Sequence, residues 1–280
     1  MKKIGFIDYY ISEWHANNYP KWIAAAAEAL GVDYEVGYVW AELDRSPLDG
    51  VSTAEWCEKF GAEKCETVEE LCEKSDAVII LAPSDPDRHL GYAREALPFA
   101  RRTYIDKTFA PDTATAREII SCAEAHATPF FSSSALRFAE EFEELGKLSR
   151  LTVTGGGSNL PEYSVHLCEI AVRLFGRAPE SVCASRSERG LELALDFGDA
   201  SATLVYDPNL GYSIDAKGAD GREKVCKLES HFFRAMMRAI LKFFEDGILP
   251  FERSQTVDVM RLRDAVLAAA DNLGKTVEVM

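Results

Sequence analysis

The sequence predicts an α/β protein in which a doubly wound parallel sheet, residues 1–127, precedes an α+β domain with an open, mainly antiparallel sheet, residues 128–280. Short apolar runs alternate with helical patterns through the first part of the chain. Ala77–Ala82 is a continuous apolar run before Pro83, which is typical of a central parallel strand buried on both faces. Short β-rich segments joined by Gly, Asn and Asp turns then occupy residues 181–228, as in an antiparallel meander.

The first part of the chain follows a strand–helix rhythm. Gly31 and Gly61 mark the ends of two helices, and Asp112 or Thr113 can cap a third. Strands are predicted at residues 3–7, 32–39, 77–82, 103–105 and 129–132, and helices at 14–30, 53–60, 68–74, 87–100 and 112–127.

The second part changes character after residue 150. Asn159, Pro161 and Gly176 are the expected cap, first-turn residue and stop of a helix over residues 161–175. Strands are predicted at residues 150–154, 181–187, 191–197, 200–206, 212–217 and 224–228, and helices at 230–245 and 254–273.

The composition is that of a soluble globular protein, with 47% hydrophobic and 28% charged residues. Asp and Glu number 46 against 31 Lys and Arg, so the net charge of -15 disfavours nucleic acid and anionic membrane surfaces as partners. No apolar stretch reaches the ~18–20 residues of a membrane span. Asp8 and the polar Ser12 and Glu13 interrupt the N-terminal apolar run too early for a signal peptide, so we expect a cytoplasmic protein.

The seven cysteines form no CxxC pair and no Cys/His set with zinc spacing. Free thiols are therefore expected, and no metal site is predicted.

The turn after the first strand is where a dinucleotide-binding fold carries its glycine loop. Here Asp8, Tyr10 and Glu13 stand at the three glycine positions. A carboxylate at the first would repel phosphate, and a phenol at the second would fill the space that the diphosphate needs. Near the end of the second strand, Trp40 occupies the place expected for a ribose-binding acid, and only Glu42 is close. These residues argue against the usual mode of binding, although a helix N-terminus remains an anion site in principle.

Lys107 follows a predicted buried strand and so lies at the carboxyl edge of the sheet, where α/β folds place ligands. It could orient or deprotonate a substrate, because a partly desolvated lysine shifts its pKa readily. It could equally pair with Asp106 or be solvated.

Glu162 and His166 lie four residues apart and share one face of the predicted helix. A carboxylate beside an imidazole fixes its tautomer and suits general acid–base catalysis, although helical histidines are more often structural. The preceding run Gly155–Gly157 would let backbone approach a ligand. Arg137, between the domains, could reach an anionic or polyol ligand.

Together these residues resemble the glucose-fructose oxidoreductase and inositol dehydrogenase family (Gfo/Idh/MocA). The resemblance covers nearly the whole chain and rests on the order and spacing of several motifs. They are Lys3–Ile7 with His15 and Tyr19, Leu81-Ala82-Pro83 with His89, Asp106-Lys107-Thr108 in place of Glu-Lys-Pro, Glu162 with His166 in place of Asp and His, and the ending around Gly247–Pro250 and Gly274–Val277.

The resemblance implies a Rossmann domain, a C-terminal domain whose open sheet joins subunits of a homo-oligomer, and hydride transfer between NAD or NADP and a sugar or polyol. Lys107 would orient or deprotonate the substrate hydroxyl, and His166 would be the general acid or base with Glu162 as its partner. Arg137 would contact the substrate. The cofactor would contact Asp8, Tyr9, Tyr10, Ile11, Pro83, His89 and Asp106.

Two departures from the family pattern leave alternatives open. The glycine fingerprint is absent, and the chain is shorter than most relatives, so loops that shape a sugar pocket could be missing. One alternative is a ligand-binding or regulatory subunit that has lost dinucleotide binding. Another is an enzyme that performs acid–base chemistry, such as elimination or isomerisation, without the cofactor.

Overall fold

The computed structural model describes all residues from Met1 to Met280. Strands and helices alternate through its first part, as the apolar pattern predicts. They are β1 (Lys2–Asp8), α1 (Trp14–Leu30), β2 (Tyr34–Ala41), α2 (Thr53–Phe60), β3 (Glu63–Lys64), α3 (Val68–Lys74), β4 (Ala77–Ile80), α4 (His89–Ala96), β5 (Arg102–Ile105), α5 (Thr113–Ala125) and β6 (Phe130–Ser132).

The remaining elements are mostly strands, with three long helices among them. They are β7 (Leu148–Gly155), α6 (Leu160–Phe175), β8 (Ser181–Ser187), β9 (Gly190–Asp196), β10 (Ser201–Tyr206), β11 (Ser213–Gly218), β12 (Glu223–Lys227), α7 (Phe232–Asp246), α8 (Ser254–Ala270) and β13 (Thr276–Glu278). None of these helices combines the length and the apolar character that crossing a membrane requires.

The predicted helix caps are found in the structure. The Asp112 side chain accepts a hydrogen bond from Thr115 N at the start of α5, and that of Asn159 accepts one from Glu162 N at the start of α6. Gly176 ends α6 in the left-handed conformation with φ 73°, which a residue without a Cβ adopts at little cost.

The first sheet is wholly parallel, with the strand order β3-β2-β1-β4-β5-β6. Its central strands are apolar on both faces, and the side chains of Ile4, Phe6, Val78 and Ile79 are fully buried. This burial explains why the central strands read as continuous apolar runs in the sequence. The doubly wound parallel sheet is thus confirmed. Its two-residue edge strand β3 is too short to leave a pattern.

The second sheet has the order β12-β11-β7-β10-β9-β8-β13, and all its pairs are antiparallel except β10 with β7. The prediction of an open, mainly antiparallel sheet is confirmed, but β7 separates the β8–β10 meander from the β11–β12 hairpin. On one face, Leu151, Val153, Leu193 and Leu204 are buried in a core that also holds residues of α6 and α8.

The chain forms two compact units that differ in extent from the predicted domains. One contains residues 1–133 and 233–251, and the other contains residues 134–232 and 252–280. The predicted domains instead met between residues 127 and 128. The second segment joins the first unit because α7 packs there: the ring of Phe243 lies edge-on to that of Phe131 at 5.2 Å, and Tyr34 Oη donates a hydrogen bond to Phe244 O at 3.0 Å. Such contacts join residues more than a hundred positions apart, so local patterns do not reveal them.

The glycine run after β7 serves close packing within the second unit. A Cβ added at Gly156 would lie 1.8 Å from the carbonyl oxygen of Asp207, and one at Gly155 would lie 2.4 Å from the ring of Tyr212. Tyr212 Oη also donates a hydrogen bond to Gly156 O at 3.0 Å. The close approach that the sequence attributed to a ligand is therefore made by the chain's own backbone and tyrosine rings.

We expect Gly156→Ala to destabilise the protein by about 3 kcal/mol, because the new methyl group would meet backbone that cannot rotate away. Urea unfolding followed by circular dichroism measures this loss. Gly211→Ala is the matched control, since nothing lies within 4 Å of its added Cβ, and it should change stability by less than about 0.5 kcal/mol. Equal unfolding midpoints for the two variants would contradict this interpretation.

Candidate functional site

In the first unit, three carboxylates lie at the carboxyl edge of the parallel sheet: Asp8 at the end of β1, Glu13 before α1 and Asp106 directly after β5. We call them the edge carboxylates. Their side chains are buried, with at most 7% of each residue exposed. Buried carboxylates require hydrogen-bond donors, so the partners of each group decide what this edge can bind.

Asp8 is held by backbone amides. Its Oδ1 accepts hydrogen bonds from Tyr9 N at 2.7 Å and from Ala82 N at 3.0 Å, whereas its buried Oδ2 has no partner. Ala82 has a φ of 65°, a left-handed conformation that is uncommon for a residue with a side chain. Burial, and secondarily the negative charge of Glu13, raise the pKa of Asp8 well above its usual range.

Glu13 caps helix α1 with its own side chain. The carboxylate accepts hydrogen bonds from the backbone amides of His15, at 2.7 Å, and of Ala16. The His15 ring nitrogen Nδ1 lies 3.3 Å from Glu13 Oε2, and its Nε2 lies 3.9 Å from Asp106 Oδ2. His15 therefore lies between two of the edge carboxylates, a placement that the sequence analysis did not predict.

Asp106 and Lys107 directly follow β5. Tyr19 Oη lies 3.1 Å from Asp106 Oδ2, and Lys107 N donates to Asp106 Oδ1 at 2.8 Å. Burial, together with the charge of Asp106, raises the pKa of Tyr19 well above its usual range, so this phenol stays protonated and can donate. Lys107 is only 8% exposed, and its Nζ donates to Pro83 O at 3.1 Å. The structure thus brings the predicted residues Lys107, Asp106 and Pro83 together.

His89, predicted to contact the cofactor, has a fully buried ring. Its Nδ1 lies 3.0 Å from the carbonyl oxygen of Phe109, and its Nε2 contacts that of Leu81. Burial lowers the pKa of His89, although both carbonyls act in the opposite direction. The ring thus joins two loops at this edge, and both its nitrogens face protein oxygens. A contact between His89 and a cofactor stays a prediction.

In the second unit, the His166 side chain projects from α6 and contacts a serine. His166 Nδ1 lies 2.7 Å from Ser134 Oγ, and its ring is edge-on to those of Tyr163 and Tyr212. The predicted partner Glu162 accepts a hydrogen bond from Asn159 Nδ2 at 3.2 Å. The contact with Ser134 was not foreseen, because no local spacing connects a loop residue to a helix 32 positions later.

Arg137, the predicted substrate contact, is 3% exposed and forms a buried ion pair with Glu169. Its Nη1 donates to Gln255 Oε1 at 2.7 Å. Burial of such a pair demands close geometry, since each charge alone would be costly in the interior. These contacts hold the Arg137 guanidinium within the second unit, and a contact with substrate stays a prediction.

The remaining predicted cofactor residues, Tyr9, Tyr10 and Ile11, form the turn between β1 and α1. Ile11 is 1% exposed, and the guanidinium of Arg88 lies over the Tyr9 ring at 4.3 Å.

All seven cysteines are free thiols, and no group of three or more His, Cys, Asp and Glu side chains is arranged to hold a metal ion.

Comparisons with models of protein families and with curated proteins give no match. Solved structures, however, match over essentially the whole chain. A myo-inositol dehydrogenase from Corynebacterium glutamicum superimposes with a TM-score of 0.76 at 15% identity, over 100% of this chain and 99% of that one. An oxidoreductase from Agrobacterium radiobacter, solved with NAD+, L-tartaric acid and magnesium, gives 0.75 at 12% identity, over 99% and 98%.

GenD2 from gentamicin A biosynthesis, solved with NAD, gives a TM-score of 0.76 at 16% identity, over 100% of this chain and 97% of that one. At these identities the likeness establishes the fold. The chain therefore has the fold of inositol dehydrogenases and related oxidoreductases, as the sequence resemblance implied.

The β1–α1 turn does not fit a dinucleotide held in the usual way. In this fold the diphosphate rests on the N-terminus of α1 and on a glycine turn. Here the amides of His15 and Ala16 are engaged by the Glu13 carboxylate, and Asp8 and Tyr10 replace the first glycines.

The raised pKa of Asp8 predicts a specific pH dependence. A carboxyl group whose pKa is higher in the folded than in the unfolded protein makes the folded state less stable as the pH rises from about 4 to the folded pKa. We expect Asp8→Asn to remove this dependence of the folding stability on pH. The unfolding free energy of the variant minus that of the wild type should rise by about 1.4 kcal/mol per pH unit in that range.

Urea unfolding at several pH values measures this difference. Asp246→Asn is the control, because Asp246 is exposed and also accepts a backbone hydrogen bond, from Ile248 N at 2.7 Å. A difference for Asp8→Asn that does not change with pH would show that Asp8 is ionised in the folded protein.

Proposed function

We propose that this protein acts as an oxidoreductase on a neutral, hydroxylated small molecule of the sugar or polyol type. The observation that carries the proposal is a buried lysine, Lys107, at the carboxyl end of a strand in a fold shared with inositol dehydrogenases. The fold alone does not determine the activity, so the argument depends on the residues at the sheet edge and on α6.

Lys107 is proposed to hold the reacting hydroxyl. Its buried Nζ donates a hydrogen bond to Pro83 O at 3.1 Å, which holds the ammonium at the edge of the sheet. A substrate oxygen that accepts from this ammonium would lose its proton more easily, because the cation stabilises the developing negative charge. Asp106 supports this placement by accepting the backbone N–H of Lys107 at 2.8 Å.

His166 is proposed to transfer the proton. Ser134 Oγ, at 2.7 Å from Nδ1, can hold the tautomer in which Nδ1 carries the hydrogen. The lone pair then lies on Nε2, where a general base needs it. Glu162, one helical turn earlier, is proposed to strengthen this basicity. Arg137 is proposed to act only indirectly, because its guanidinium is engaged by Glu169 and Gln255.

The chemistry that a nicotinamide cofactor would supply is acceptance or donation of a hydride. Because the β1–α1 turn does not fit the diphosphate, NAD or NADP would have to bind with its phosphates elsewhere. This mismatch favours a second candidate, in which the same residues catalyse proton transfer on a hydroxylated carbonyl compound without a cofactor.

One assay separates the two candidates. The purified protein is incubated with myo-inositol and a panel of sugars, with and without NAD+ and NADP+, in D2O. Formation of reduced nicotinamide supports the oxidoreductase. Incorporation of deuterium next to a carbonyl carbon, seen by NMR and independent of cofactor, supports acid–base catalysis. If neither occurs, both proposals are wrong for these substrates and a binding function is favoured.

With an active substrate in hand, Lys107→Met and His166→Gln should each lower kcat by about 10²- to 10⁴-fold, the usual contribution of a positioned acid–base group. The matched controls are Lys147→Met and His126→Gln, which change exposed residues and should leave kcat within about twofold. Circular dichroism verifies that each variant is folded. Full activity in His166→Gln would exclude the proposed proton transfer.

A homo-oligomer formed through the open sheet of the second unit, and a cytoplasmic location, are also proposed. Exposed strands in a sheet favour pairing or coverage by another subunit. Sedimentation should therefore give at least twice the 31.0 kDa mass of the chain, and a monomeric mass would contradict this proposal.

A further inference from the structure

We infer that Glu13 is an internal anion that occupies the phosphate-binding end of helix α1, so that this edge of the sheet rejects phosphorylated ligands. The inference concerns which ligands the first unit accepts, and it goes beyond the proposed reaction. A dinucleotide normally makes three contacts with this fold. The first is with the amides of a helix N-terminus, the second is with a turn that leaves space for the diphosphate, and the third is with an acid that binds the ribose.

The first contact is satisfied by the chain itself. Helix α1 spans 17 residues, and the amides of His15 and Ala16 at its start donate to the Glu13 carboxylate. A helix N-terminus favours one negative charge through its dipole and its unpaired N–H groups. With Glu13 buried in that position, a phosphate would find fewer donors and would face a like charge.

The second contact is restricted by residues of the turn itself. Asp8 adds another carboxyl group beside Glu13, and its Oδ1 uses the amides of Tyr9 and Ala82. Ile11 is buried within the turn, and Tyr9 O accepts a hydrogen bond from Leu43 N at 2.8 Å. The turn is thus tied to the residues after β2 through Tyr9.

The third contact is also engaged. Glu42, the acid just beyond β2, accepts hydrogen bonds from Arg88 Nη1 at 2.6 Å and from Tyr92 Oη at 2.7 Å. Arg88, in turn, lies over the Tyr9 ring. The acid that would bind the ribose hydroxyls is therefore already paired within the first unit.

At each of the three sites of dinucleotide recognition, some of the groups that would contact the ligand are therefore engaged by the protein itself. The ligand that approaches the β1–α1 side of this edge should be neutral or cationic, since Asp8, Glu13 and Asp106 place three carboxyl groups near the cations of His15 and Lys107. A neutral sugar or polyol meets this condition, whereas a sugar phosphate or a dinucleotide does not.

Calorimetric titration with inorganic pyrophosphate tests the inference directly. The wild-type protein should show no saturable binding. Glu13→Gly should gain pyrophosphate affinity by at least about tenfold, because it exposes the α1 amides and removes the charge. Glu13→Gln keeps a capping oxygen without the charge and should gain less. Thermal melts show whether each variant is folded, and Glu13→Gln serves if Glu13→Gly does not fold.

Asp112→Gly is the matched control, because Asp112 caps helix α5 in the same way but lies outside the β1–α1 turn. An equal gain in this control would show that any uncapped helix binds pyrophosphate, and would overturn the inference. The inference would also be overturned if both Glu13 variants failed to gain affinity, or if the wild type bound pyrophosphate.

A parallel titration with NADH keeps this inference distinct from the proposed function. If NADH binds the wild type with an affinity that Glu13→Gln does not change, an oxidoreductase that holds the phosphates of the cofactor elsewhere is supported. The inference on Glu13 would then still depend on pyrophosphate alone. Binding of NADH to the Glu13 variants but not to the wild type would support the inference and would contradict the nicotinamide-dependent proposal.

Discussion

The need to satisfy buried carboxylates at one edge of the parallel sheet governs the first unit. Asp8, Glu13 and Asp106 each require donors in an interior that solvates charge poorly, and each obtains them from nearby backbone amides. In a dinucleotide-binding protein, the helix and turn amides at such an edge are reserved for the diphosphate. Here the amides of Tyr9, His15 and Ala16 stabilise the protein's own acids, so the same fold presents a chemically different surface.

Much of the fold could be predicted from the sequence because its determinants are local. The buried run at β4, the cap at Asn159 and the stop at Gly176 each act within a few residues, and all three are found in the structure. The position of β7 inside the second sheet, and the packing of α7 with the first unit, depend on partners distant in the chain. Periodicity carries no information about such partners.

The candidate site, like the fold, can be predicted from the sequence only where its determinants are local. That Lys107 lies at a sheet edge follows from its position after an apolar strand, and the structure places it there, buried beside Asp106. The pairing of Arg137 with Glu169, and of His166 with Ser134, joins a loop to a helix 32 residues later in both cases. Glu13 does carry a sequence signal, since an acidic residue just before a helix is a potential cap. Comparison with the glycine loop shows this position only as a missing glycine.

The backbone fold of this chain is shared with solved oxidoreductases whose sequences differ greatly from it. The backbone superimposes over the whole chain, while only 12–16% of residues are identical in the structures compared. A conserved backbone keeps the carboxyl edge of the sheet as the place where ligands bind, but the side chains there decide which ligand is accepted. Lys107 is proposed to hold a hydroxyl group, whereas Glu13 and Asp8 are inferred to disfavour a phosphate. The substrate and the cofactor must therefore be inferred separately, because different residues of this fold would recognise each.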